Sequence, residues 1–177
     1  MLLLPAAVRV PVPWRNGGGI TREIATTPEW RLSIADVDRD GPFSAYPEYH
    51  RVITPIRGNG MVLTVDGTTH RVLRHQPFAF PGGADTTCEL IYGSVVNLNV
   101  MSKTPAHVEL RRVRAEMRLA ATALVVLEGE LTIGPYHLGP LDALVLDDQI
   151  NAESHCSVRP RHAGYDSLLL SFTISRD

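Results

Sequence analysis

Three consecutive glycines, Gly17-Gly18-Gly19, follow Trp14, Arg15 and Asn16, and residues of these types in one run suit the holding of an anion. Successive glycines can turn several backbone N–H groups toward one point, forming a nest that needs no side chain. Arginines accompany the run at positions 15, 22, 31 and 51, and a guanidinium fork grips a carboxylate through two parallel N–H bonds. The chemistry this grouping predicts is recognition of a small carboxylate. Plainer roles stay open: glycines also serve turns that need positive φ, and Glu23, Asp36 and Asp38 are at hand to pair with the arginines. The run is not a phosphate loop, because no Gly-Lys-Ser/Thr follows it.

Other residue types say what chemistry to leave aside. Neither a Gly-x-Ser-x-Gly elbow nor a paired-carboxylate motif is present, so nucleophilic and acid–base catalysis have no anchor and no catalytic residue is assigned. The seven histidines are scattered. The window from Ile56 to Thr69 holds neither histidine nor glutamate, and Glu128, Glu130 and His137 are not preceded by His-x-His. A metal site built from His50, His70 and His155 would need convergence in space alone, so the expectation is no metal and no cofactor. Trp14 and Trp30 suit either a core or an aromatic wall for a flat ligand.

These side chains have to be positioned by short strands. Fourteen glycines and thirteen prolines punctuate brief apolar runs, and no long amphipathic helix survives. Strands are expected at Trp30 to Val37, Arg51 to Ile56, Gly60 to Val65, Val95 to Met101, Leu124 to Leu127 and Leu168 to Ile174. In Trp30-Arg31-Leu32-Ser33-Ile34 the alternation sets Arg31 and Ser33 on the face opposite Trp30, Leu32 and Ile34; that face is lumen or solvent. Asp66-Gly67 marks a type I′ hairpin, and Gly134-Pro135 separates a second pair of short strands. The stretch Pro105 to Arg118 reads as a strand turning at Arg111-Arg112, with a short helix as the alternative.

The two hairpin regions look like one unit used twice. Ile56-Arg57-Gly58 is echoed by Leu127-Glu128-Gly129, and each is followed by hairpin, turn and a short apolar strand: Pro77 to Phe80 in one case, Asp142 to Leu146 in the other. The fold expected is therefore all-β, with two β-barrel or jelly-roll lobes packed together, residues 1–104 and 105–177.

Composition narrows the partners. The 177 residues are 44% hydrophobic and 20% charged with a formal net charge of −2, which fits a packed globular chain and gives no reason to expect nucleic acid or an anionic membrane. Cys88 and Cys156 show no C-x-x-C spacing and read as buried thiols of a reducing compartment. The opening run Met1 to Val8 is broken by Pro5 and followed early by Arg9, unlike a signal peptide. No apolar stretch is long enough to span a bilayer, so a cytoplasmic location is expected.

Several segments in order carry a family resemblance. Pro13-Trp14-Arg15-Asn16-Gly17-Gly18-Gly19 with Thr21-Arg22-Glu23-Ile24, then Trp30-Arg31, Asp40-Gly41-Pro42-Phe43-Ser44-Ala45-Tyr46-Pro47, Arg51, and Asn97-Leu98-Asn99-Val100-Met101 are similar to the HutD/Ves family. The resemblance continues from Leu127-Glu128-Gly129 to Asp142-Ala143-Leu144. It implies a bicupin fold and a small-molecule-binding protein of bacterial histidine utilisation, sensing or buffering a urocanate or formylglutamate type of carboxylate. Where the family usually has an aspartate this chain has Asn97, and where it has another acidic residue this chain has His50. Taken with the anion chemistry above, it places Trp14, Arg15, Asn16, Gly17, Gly18, Gly19, Arg31, Ser33, Ser44, Arg51 and Asn99 around one ligand cavity. Two other readings stay open, a metal-free cupin isomerase or lyase and a partner-binding module; a homodimer is compatible with either.

Overall fold

The computed structural model describes residues 1–15, 17–146, 155–162 and 164–174. Apart from a single 3-10 turn at Ala6–Val8, every regular element among them is a strand. Contacts divide the chain into two units, Val10–Ala106 and Met1–Arg9 with His107–Asp177.

In the N-terminal unit one antiparallel sheet runs Pro11–Pro13, Gly19–Thr26, Trp30–Val37, Val95–Ser102, His50–Arg57, Phe78–Pro81. A second runs Gly41–Pro42, Thr86–Leu90, Met61–Val65, Thr68–Val72. Val37, Ile53, Phe80 and Val95 of the first sheet form one buried cluster with Met61, Leu63, Val72 and Cys88 of the second. Apolar faces of two antiparallel sheets meeting in this way make a jelly-roll sandwich. At the hairpin tip Asp66 and Gly67 both have positive φ, 46° and 80°, the type I′ geometry that an Asp-Gly pair favours.

The C-terminal unit repeats the plan. Ala106–Val113, Ser167–Ile174, Ala123–Glu128 and Ala143–Val145 form one sheet, and Met117–Ala120, His155–Pro160, Leu131–Ile133 and Tyr136–Leu138 the other. Its core is leucine-rich, with Leu124, Leu131, Leu138, Leu144 and Leu169 in one cluster. The stretch 105–118 is extended, but its turn falls beyond Val113, which is fully buried. An apolar strand, Leu2–Leu4, closes the sheet edge by pairing with Ala143–Val145. Residues 1–9 therefore sit with the C-terminal unit, not with the N-terminal one as a division at 104/105 assigns them. An open strand edge beside Ala143–Val145 is the physical reason, since an unpaired edge favours capture of an apolar segment.

The internal repeat extends to irregularities. Register slips at Ile56, where Asn97 faces Pro55 and Val96 faces Arg57. It slips in the same way at Leu127, between Val126 and Glu128. Each bulge is followed by a glycine with positive φ, Gly58 at 89° and Gly129 at 76°. A Cβ at either would lie 2.5 Å from a neighbouring oxygen, of Ser94 and Ser167 respectively. The Ile56-Arg57-Gly58 and Leu127-Glu128-Gly129 echo is thus a bulge with its glycine, used twice.

Both cysteines are buried and unpaired. Burial pushes the Cys88 thiol up to about 12, with Asp40 and Glu89 adding to the effect, and burial also raises Cys156. A thiol reagent at pH 8 should label neither cysteine until the chain unfolds. A raised folded-state value means the Cys88 contribution to stability is present below the unfolded value of about 9 and is lost as pH rises from there toward 12. Denaturation midpoints should fall more between pH 9 and 11 in wild type than in Cys88→Ala.

Candidate functional site

Period-two alternation and antiparallel register build the site. On Trp30–Val37, the residues Arg31, Ser33 and Ala35 share one face; on Val95–Ser102, Asn97, Asn99 and Met101 do. Met101 pairs with Arg31 on one side and Arg51 on the other, Asn99 with Ser33 and Ile53, and Asn97 with Ala35 and Pro55. Glu23 lies across from Ser33, and Thr21 across from Ala35. This grid forms the floor of a cavity of about 560 Å³, walled by Trp14, Arg15, Phe43, Ser44 and Tyr46. A slip of one residue in Trp30–Val37 would replace Arg31 and Ser33 by Trp30 and Leu32.

Arg51 dominates the electrostatics. It is only 7% exposed. One guanidinium nitrogen donates to the Ser44 carbonyl at 3.1 Å, while Nε is buried without a partner. Its remaining surroundings are aromatic faces, with Phe80, Phe43 and Tyr46 centroids 4.9, 5.5 and 5.5 Å from Cζ. No carboxylate among the described residues pairs with it. Desolvation lowers its pKa from 12.5 to about 10, so burying this charge costs on the order of 3 kcal/mol.

The amides add unmet hydrogen-bonding capacity. Asn97 is 2% exposed, and its side-chain oxygen, like that of Asn99, is buried without a partner. The Asn97 amide nitrogen reaches only the Met61 sulfur, at 3.9 Å. Arg31, by contrast, is already paired, donating to Glu23 at 3.1 Å, with side chains 30% and 50% exposed; its Cζ lies 5.9 Å from the Tyr46 centroid.

Of the residues expected at the site, Trp14, Arg15, Arg31, Ser33, Ser44, Arg51 and Asn99 line the cavity. Asn16 lies outside the described residues. The three glycines are not among the lining residues, and their geometry is that of a hairpin, not of an anion nest. The Gly17 N–H donates back to the Trp14 carbonyl at 3.0 Å, and the Trp14 N–H to the Gly19 carbonyl at 2.9 Å. Gly18 contributes its carbonyl to the Asp38 N–H. The hairpin seats Trp14, whose indole N–H donates to Thr21 Oγ1 at 2.7 Å. His50 is exposed at the end of its strand and lies outside the cavity lining.

Residue-type reasoning misses Glu23, Phe43, Tyr46 and Met101 and treats Asn97 only as a departure. Alternation from Asn99 would have found Asn97 and Met101. Phe43 and Tyr46 belong to a loop with no period to read. Among the described residues the C-terminal unit offers no counterpart: by matched register Asn97 corresponds to Leu169 and Ile53 to Leu124, both fully buried core residues.

A family model described as HutD matches residues 6–163. An uncharacterized 21.2 kDa protein in the hutC 3′ region of Pseudomonas putida is 41% identical over 98 residues, 51% of this chain and 52% of its own length. Protein Ves of Citrobacter koseri is 38% identical over 115 residues, 60% of this chain and 57% of its own. The matches thus span little more than half the length of these curated relatives. Among solved structures, HutD from Pseudomonas fluorescens SBW25 (formate condition) is similar over 99% of both chains, at 34% identity and a TM-score of 0.79. A conserved protein of unknown function from Pseudomonas aeruginosa PAO1 matches over 99% of both chains at 27% identity, with a TM-score of 0.82. A cupin 2 conserved barrel domain protein from Leptotrichia buccalis is similar in fold alone, at 10% identity over 93% of this chain and 92% of its own and a TM-score of 0.62. The fold is cupin-like. No helix among the described residues is long and apolar enough to cross a membrane.

Proposed function

This chain belongs to the HutD family, and we propose on that premise that it binds a small carboxylate metabolite in the N-terminal cavity. The ligand is of the urocanate or formylglutamate type, and the protein senses or buffers it in the cytoplasm during bacterial histidine utilisation. The observation that carries the reading is Arg51: a buried guanidinium in a cavity, paired with no carboxylate among the described residues, with two partnerless buried amide oxygens in the same lining. A ligand carboxylate would supply the missing counter-charge at a guanidinium only 7% exposed, where charge-assisted bonds are strong. Aromatic walls from Trp14, Phe43 and Tyr46 suit a flat or compact body behind that carboxylate. The link to histidine utilisation is supported by the name of the Pseudomonas putida relative, which lies in a hutC 3′ region.

Calorimetric titration with urocanate and with N-formylglutamate tests this directly. Saturable binding to the wild type is expected with either compound, and absence of binding to both at millimolar concentration would overturn the reading. Arg31→Ala should weaken binding about tenfold, since it strips Glu23 of its counter-charge and leaves a bare carboxylate in the cavity to repel the ligand's. Its melting temperature should barely move, because the Glu23 pair is half exposed and such pairs contribute under about 1 kcal/mol.

A further inference from the structure

We infer that the cavity selects a ligand carrying a single carboxylate and a neutral N–H-bearing remainder, and that Glu23 is the residue that turns away a second carboxylate. This rests on the binding reading above and specifies its ligand class. The cavity contains two arginines on its floor, Arg31 and Arg51, each paired with Met101 across the strands, hence about 10 Å apart at the backbone. Both approach the Tyr46 ring, at 5.9 and 5.5 Å. By spacing alone a dicarboxylate could bridge them. By charge it is opposed, because the two guanidiniums are not equivalent: Arg51 has no carboxylate partner among the described residues, whereas Arg31 already holds Glu23 at 3.1 Å. Glu23 itself lines the cavity. A second ligand carboxylate reaching Arg31 must displace Glu23 or lie against it, and like charges a few ångströms apart repel.

The neighbouring groups point the same way. Two and four residues along the strand from Met101 stand Asn99 and Asn97, whose side-chain oxygens are both buried without a partner. An acceptor needs a donor, and an ionised carboxylate has none to give. A neutral amide or imidazole N–H satisfies these oxygens and adds no charge beside Glu23. Discrimination would then come as much from the repulsive element as from the attractive ones.

The test compares N-formylglutamate with N-formylglutamine, which differ by one carboxylate turned into an amide, with urocanate as a further monoanion. Each is titrated into wild type and Glu23→Gln. Wild type should take N-formylglutamine at least about fivefold more tightly than N-formylglutamate, and Glu23→Gln should bring the two within about twofold, mainly by improving the diacid. Because Glu23 is half exposed, the variant should melt with the wild type, which separates loss of repulsion from loss of fold. An equal or tighter diacid in wild type overturns the inference, as does an unchanged ratio in Glu23→Gln or a variant that takes urocanate but still neither formyl compound. In each of those cases binding of urocanate leaves the function proposed above standing. If none of the three binds wild type, both readings fall together.

Discussion

Arg51→Met should weaken carboxylate binding about a hundredfold, while the unliganded protein melts within a few degrees of wild type. The first half follows from the loss of a charge-assisted, desolvated grip worth up to about 3 kcal/mol. The second follows from the surroundings that the protein itself gives Arg51. Its charge is buried at a cost, as the drop in its pKa to about 10 records, and it returns only the bond to the Ser44 carbonyl and its aromatic contacts. Those contacts are worth about 0.5–2 kcal/mol, comparable to the burial penalty that methionine removes. Replacing a buried charge by an apolar side chain of similar length is often neutral for this reason. The loop over it keeps independent ties, from the Phe43 N–H to the Thr86 carbonyl and the Tyr46 N–H to the Gly82 carbonyl. Calorimetry with urocanate and thermal melts of both proteins check the two halves separately. Binding of unchanged strength by Arg51→Met would remove Arg51 from the site, and a collapse of the melting temperature would make it a structural residue.

How far the site could be read without coordinates depended on which residues obey a period. Alternation in Trp30 to Ile34 already separates Arg31 and Ser33 from Trp30, Leu32 and Ile34, and the structure puts the first pair on the cavity. What alternation leaves open is which arginine lacks a counter-charge. That depends on pairing between strands distant in sequence: Glu23 meets Arg31 because Gly19–Thr26 and Trp30–Val37 form a hairpin with a bulge between Glu23 and Ala25. Arg51 lies two strands away with no acid opposite it. The glycine run illustrates a different limit. Nest and hairpin ask for the same residue, and only the direction of the Gly17 N–H, toward the Trp14 carbonyl, distinguishes them. The lobe repeat was legible because a bulge with a positive-φ glycine leaves a local signature. The transfer of Leu2–Leu4 to the C-terminal sheet was not, because an apolar tripeptide carries no address until an open edge is known.

Gly19→Ala should damage both fold and site, and Gly17→Ala neither to the same degree. A Cβ on Gly19 would lie 2.2 Å from the Asp36 carbonyl oxygen and 3.2 Å from two carbons of the Trp14 ring. The closest obstacle is backbone, in the strand that pairs with Gly19, so it has no flexible end that can swing aside. The hairpin must open, at a cost of about 2–3 kcal/mol for a buried overpacked position, or a fall of roughly 5–10 °C in melting temperature for a chain of this size. Trp14 moves with it, because its backbone N–H is tied to the Gly19 carbonyl and its ring stands over the new methyl group. Urocanate affinity should therefore drop about tenfold, as expected when a wall of a preformed pocket is displaced. Gly17 differs: its φ of 68° is costly for alanine, but nothing lies within 4 Å of the added carbon. Its penalty is about 1 kcal/mol, with little change in affinity, since its N–H keeps the bond to Trp14. Melting curves and titrations of the two variants side by side measure the contrast. If Gly19→Ala melts and binds like wild type, the close approach to Asp36 is not what the third glycine is for; if Gly17→Ala alone loses the ligand, the run is an anion nest after all.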